Sequence, residues 1–151
     1  MIQYVAFQVC KEDNSSRYIK FFKKDDEYYL ETASGFRGMY LMLENDTTRM
    51  YRCAESSARL ISDLLEPLKI YGWPKAIPSD FIPTDAILGC DDFSWSIDYK
   101  EEEKKNMRHI HGKGEFPKED PYKSFYRLFT RTIPDQELKD WFLKDYEEGM
   151  E

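Results

Sequence analysis

Apolar and polar residues alternate along the first third of the chain and then change period. Residues 2–10 set Ile2, Tyr4, Ala6 and Gln8 on one side and Val5, Phe7 and Val9 on the other, the two-residue period of a strand. The polar run 11–16 predicts a turn, and 17–24, with Tyr18, Ile19, Phe21 and Phe22, a second strand. A second turn follows at 24–27 and a third strand at 28–33. Residues 34–38 read as a break with Gly35 and Gly38, 39–44 as a fourth strand, 45–48 as a turn and 49–53 as a fifth. Hairpins in direct succession make an antiparallel meander.

Beyond residue 54 the period lengthens. Ile61, Leu64, Leu65 and Leu68 fall at i, i+3, i+4 and i+7, one face of a helix. Pro67 disfavours helical geometry at Glu66 and ends the regular helix near there. The connection 71–88 contains Pro74, Pro78 and Pro83, but Trp73, Ile77, Phe81 and Ile82 predict that it packs down on the sheet. A hairpin is expected over Cys90–Pro117, with Trp95, Ile97 and Tyr99 on one face of the entering strand and Ser94, Ser96 and Asp98 on the other. Asp120-Pro121 resembles an N-cap followed by a first-turn proline, and Tyr122, Phe125, Tyr126 and Phe129 continue with helical spacing. Thr132-Ile133-Pro134 separates that helix from a last one marked by Leu138, Trp141 and Phe142. The expected fold is α+β: an antiparallel β-sheet, built from the N-terminal meander and the later hairpin, with about three α-helices packed on one side.

Composition narrows the class. With 151 residues the chain fits one domain, 1–151, large enough to bury a core without disulfide staples. Aromatics at 16% predict a core of rings as much as of aliphatic side chains. Charged residues at 34% and a mean hydropathy of -0.73 go with the absence of any apolar run near the ~20 residues a bilayer requires. The N-terminus reads as a strand and not as a signal peptide. Three widely spaced cysteines, Cys10, Cys53 and Cys90, fit neither a disulfide framework nor a paired-cysteine zinc site, so a reduced, cytoplasmic setting is expected. A net charge of -7 speaks against general nucleic-acid binding and leaves open only a local basic face.

Candidate chemistry concentrates in the hairpin, which holds both histidines. His109 and His111 share one face of a strand, about 7 Å apart along it. That spacing serves some metal sites, with Cys90, Asp91, Asp92 or Asp98 available as a third ligand. The same stretch forms a basic cluster of Lys104, Lys105, Arg108, His109, His111 and Lys113, and Gly112 and Gly114 would let backbone N–H groups approach an anion. The acidic run from Asp98 to Glu103 lies across the turn, and cross-strand pairing of opposite charges accounts for both runs without a ligand. There is no Gly-x-Ser-x-Gly, and no cysteine is a sequence neighbour of a histidine, so nucleophilic catalysis has no sequence support. No cofactor is expected.

The run from Asp91 to Tyr99 resembles an Asp-Gly-x-x-Trp-x-aliphatic-x-aromatic motif of a family of small uncharacterised bacterial and phage-borne proteins. In that family a polar hairpin leads to Gly-x-Asn-x-Tyr-Pro and a helix. Here Gly112 to Pro117 occupies that corner, Phe125 and Leu128 match the helix, and Trp73 and the preceding helix also fit. Asp92 replaces the family's glycine and Gly114 its asparagine. The resemblance spans roughly residues 60–130 and implies a turn, a core tryptophan and a helix entry; no activity comes with it. The functional expectation is therefore a non-enzymatic binding module that recognises a protein partner, as immunity-type or counter-defence inhibitors do. Binding residues would be Arg108, His109, His111, Lys113 and Tyr99. The alternative is a small-molecule or metal-dependent site centred on His109 and His111. Membrane partners are not expected, and the pattern is silent on oligomeric state.

Overall fold

The computed structural model describes residues 1–10, 15–37, 43–77, 94–113, 116–134, 136–140 and 142. Strands β1 (Ile2–Cys10), β2 (Ser15–Lys24), β3 (Glu27–Arg37) and β4 (Leu43–Cys53) form the meander. Helix α1 (Glu55–Leu65) and two 3-10 turns, Glu66–Leu68 and Ile70–Gly72, lead to the two-residue strand β5 (Ala76–Ile77). Strands β6 (Ser94–Glu101) and β7 (Arg108–Lys113) make the later hairpin, followed by α2 (Tyr122–Thr130) and a last helical stretch at 136–140 and 142. All strands share one sheet in the order β4-β3-β2-β1-β6-β7-β5. Six of them are antiparallel, and β5 adds to β7 in parallel. The fold is α+β.

β1 holds the sheet together because it pairs with β2 on one side and β6 on the other. Val5, Phe7 and Val9 lie opposite Phe21, Ile19 and Arg17 in β2, and opposite Tyr99, Ile97 and Trp95 in β6. These positions define an inner face, and the helices cover it. Phe7 sits at its centre, with ring centroids 5.1 Å from Phe116, 5.5 Å from Phe125, 5.4 Å from Tyr126 and 6.0 Å from Phe142. The first three are edge-to-face and add to the ~1.5–3 kcal/mol that burying each large side chain provides. α1 is tied to the same face: Ser62 is buried because its hydroxyl accepts the Ile2 N–H at 3.0 Å.

The structure departs from the sequence reading at several places. β3 does not stop at Ala33 but runs on to Arg37, with the irregularity absorbed as a register shift against β4 between Ser34 and Phe36. The polar run 45–48 is strand interior, so 43–53 is one edge strand; residues 39–42 of the expected fourth strand lie outside the described residues. A register shift between Ile2 and Tyr4 carries Ile2 into the core, away from the face that strict alternation assigns it. α1 buries Ala58, Ile61, Ser62 and Leu65, which leaves Leu64 partly exposed at 38%.

The entry to α2 also differs. Tyr122 is its first residue, Pro121 occupies the cap position and no side chain caps the helix. The predicted 24–27 turn is present: Asp25 and Asp26 have φ of 53° and 64°, the left-handed pair that a two-residue hairpin between β2 and β3 requires. Within α2, Phe125, Tyr126 and Phe129 are buried as their spacing predicts. Trp73 is buried too, its indole N–H donating to the Leu68 carbonyl at 3.0 Å, so the start of the long connection does pack down.

Candidate functional site

Because side chains alternate across a strand, the residues between the core positions build the opposite, outer face. Three rows cross it. In the first, Met50, Glu31, Lys20, Ala6, Asp98 and His109 follow one another from β4 to β7. In the second, Thr48, Ala33, Tyr18, Gln8, Ser96 and His111 do the same. The third runs Arg52, Tyr29, Phe22, Tyr4 and Lys100. No described helix covers these rows.

The rows hold together by charge and ring contacts. Tyr18 donates its hydroxyl to Glu31, and Lys20 lies over the rings of Tyr4 and Tyr18, 5.8 and 5.4 Å from their centroids. Phe22 stacks on Tyr29 at 5.5 Å. Tyr29 in turn donates to Glu27 at 2.8 Å, and Arg52 forms an ion pair with the same carboxylate. The hydrogen bond to Glu27 raises the Tyr29 phenol above its ordinary range. Tyr4, Tyr18, Phe22 and Tyr29 are each half-buried. At the far side His109 meets Asp98 through Nδ1 and is 71% exposed, and His111 and Lys113 are exposed beside it.

The five residues singled out from sequence therefore divide. His109, His111 and Lys113 lie together on the outer face of β7. Tyr99 is fully buried on the inner face, ring against Tyr71 at 5.4 Å and hydroxyl donating to Glu101 at 2.9 Å. Burial, reinforced by Glu101, pushes its phenol far above the ordinary tyrosine range. Arg108 stands opposite Tyr99 and donates to the Trp73 carbonyl, clamping the connection to the sheet. Gly112 is also an inner-face residue, and a Cβ built there would come within 2.5 Å of the Trp95 indole. Glycine at this position makes room for a ring, which is a sufficient reason for it without an anion; Gly114 lies outside the described residues.

Other chemistry is sparse. Among the described residues no three His, Cys, Asp or Glu side chains converge in a metal-holding arrangement, and Cys90, Asp91 and Asp92 lie outside them. Open grooves of about 380 and 350 Å³ flank Lys23 at the β2–β3 turn, and their linings include neither His109 nor His111. There Lys23 bonds Glu102 at 3.0 Å, which holds that carboxylate below its usual range and raises the lysine. No described helix is long and apolar enough to cross a membrane. None of the outer-face aromatics was named as a binding residue from the sequence, although the alternation of Tyr4, Ala6 and Gln8 already put Tyr4 on the face opposite Phe7. Comparison with family models, with curated proteins and with solved structures returns no match.

Proposed function

We propose that the protein is a non-enzymatic module that binds a protein partner through the outer face of its sheet, in the manner of an immunity-type or counter-defence inhibitor acting in the cytoplasm. The observation that supports this is the face itself. Tyr4, Tyr18, Phe22 and Tyr29 are interleaved with Lys20, Glu31, Asp98, His109 and His111 on a surface that no described helix covers. Rigid aromatic rings with polar tips are the side chains enriched at protein interfaces, and alternating charges fix register with a complementary surface.

The test uses the full chain as bait in a lysate of its native source. A stoichiometric partner captured by the wild type, lost with Lys20→Glu/His111→Glu and retained with Leu60→Ala on α1, supports the reading. Capture indifferent to the outer-face changes, or repeated captures without a stoichiometric partner, overturns it. The second reading, a small-molecule or metal-dependent site, draws on the contact between His109 and Asp98. Elemental analysis of purified protein decides its metal form, and protein free of transition metal with unchanged stability in chelator rejects it.

A further inference from the structure

Helix α1 packs on the inner face of the sheet through Ala58, Ile61, Ser62 and Leu65, and it touches α2 and β3. Its other side bears Leu60 and Leu64, 59% and 38% exposed. Two of the three exposed large apolar side chains among the described residues thus lie one turn apart on one helix. With 3.6 residues per turn, their stripe is turned ~130° from the mean direction of the buried four. Arg59 and Asp63 run along one flank of the stripe, while the other flank carries Ser57 and no charge. Arg59 reaches back to Glu55 at 3.1 Å, but these side chains are 65% and 70% exposed, so the pair is solvated and readily exchanged. The Asp63 carboxylate makes no ion pair or side-chain hydrogen bond among the described residues.

We propose that this side of α1 is a contact between two copies of the chain, paired antiparallel about a two-fold axis that passes between Leu60 and Leu64. The pattern complements itself in that arrangement. Antiparallel helices related by a two-fold bring like flanks together. With Leu60 opposite Leu64 of the second copy, Arg59 falls level with the second copy's Asp63, and symmetry makes each contact twice. Parallel helices would set the charged flank against the uncharged one and leave Arg59 and Asp63 without opposite charges. A partner of other sequence would have to reproduce a leucine pair and an acid–base pair at this spacing, whereas a second copy brings both by symmetry.

Because the stripe points away from the sheet, the dimer is layered sheet, helices, helices, sheet. Its two outer faces look in opposite directions and stay open, so the assembly presents two copies of that surface. The contact itself does not depend on what the outer face binds. An 11-residue helix is ~16 Å long and ~10 Å across, well below the ~800 Å² that each partner of a standard interface buries. The dimer is therefore a weak one, half-formed between about 0.05 and 1 mM.

The experiment is sedimentation of the full chain from about 0.01 to 1 mM, a range that brackets such an affinity. Expected is a mass that rises with concentration from 18.1 kDa toward twice that value. Leu60→Asp should remain monomeric throughout, with the far-UV spectrum of the wild type. Arg59→Asp and Asp63→Arg should each associate about tenfold more weakly or less, since both contacts then join like charges. An equimolar mixture of these two variants should associate as the wild type does, because in the mixed pair both contacts again join opposite charges. That comparison needs only folded variants and no absolute affinity. A chain monomeric at about 1 mM, a dimer that survives Leu60→Asp, or a mixture no stronger than its components would overturn the proposal. Partner capture is scored on the outer-face variants, so failure of the binding reading and failure of this one are separate results.

Discussion

Replacing Gly112 with alanine tests the reasoning that ties the hairpin to the core. Gly112 lies directly across from Trp95, and an added Cβ would sit 2.5 Å from two indole carbons and 2.7 Å from the ring nitrogen. Ordinary contact begins near 3.4 Å, so the ring must retreat by about 0.9 Å. It has little room, being 4% exposed with Phe116 packed on it at 4.7 Å. Overpacking of this kind costs about 1–3 kcal/mol, and relieving a strand of glycine returns about 0.5–1 kcal/mol. The net expectation for Gly112→Ala is a loss centred near about 1 kcal/mol, or about 2–4 °C in Tm. Urea unfolding followed by tryptophan fluorescence measures it. The decisive comparison is the double-mutant cycle with Trp95→Leu, in which the smaller side chain leaves space and the alanine should become neutral or favourable. A Gly112→Ala variant as stable as wild type, or equally harmful with and without the indole, would refute the close approach as the reason for glycine.

Three further expectations follow from the same packing. Phe7→Ala removes the ring on which Phe116, Phe125, Tyr126 and Phe142 converge, and should lose about 3–5 kcal/mol by equilibrium denaturation; a loss under 1.5 kcal/mol would place the core elsewhere. Tyr99 is held neutral by burial and by Glu101, so its folded pKa lies above the unfolded one. Its contribution is complete below about pH 10 and falls by about 1.4 kcal/mol per pH unit above it, as the unfolded chain alone ionises. Tyr99→Phe should therefore flatten the alkaline limb of stability by about one proton, and a limb of unchanged slope would contradict the assignment. His109→Ala and His111→Ala, on the exposed side of β7, should each stay within about 0.5 kcal/mol of wild type, in chelator as without it; a thermal melt showing a larger loss would make these side chains part of the framework.

The fold class was legible because period is a local property. The two-residue alternation of Val5, Phe7 and Val9 and the helical spacing of Phe125, Tyr126 and Phe129 each follow from a backbone geometry that the segment adopts by itself. Strand limits were less legible, because a partner strand can hold residues that locally favour a turn. Residues 45–48 would be a turn in isolation, yet Thr47 and Thr48 pair with Ser34 and Ala33 and the strand continues through them. Ile2 shows the same limit: its place in the core comes from the register shift against β6, where it pairs with the distant Glu101. Strand order could not be read at all, since nothing in β1 states that it will accept β6 as its second neighbour.

The site was less legible than the fold, and for a reason that bears on how it can act. A run of charged and aromatic residues in a hairpin looks like one cluster in sequence, but a strand deals its side chains alternately to two sides. Arg108 and Gly112 went to the inner face, where one clamps Trp73 and the other admits Trp95, while His109, His111 and Lys113 went outward. The residues that join these three on the outer face come from the far end of the chain's first half, with Lys20, Tyr18 and Tyr4 brought alongside by β1. A contact surface of this sort belongs to the sheet and not to any one segment. It follows that single substitutions on the outer face should leave the fold intact while altering complementarity, whereas changes at Trp95, Gly112 or Phe7 should disturb both. That separation is what allows the surface to be tested for binding apart from the scaffold that presents it.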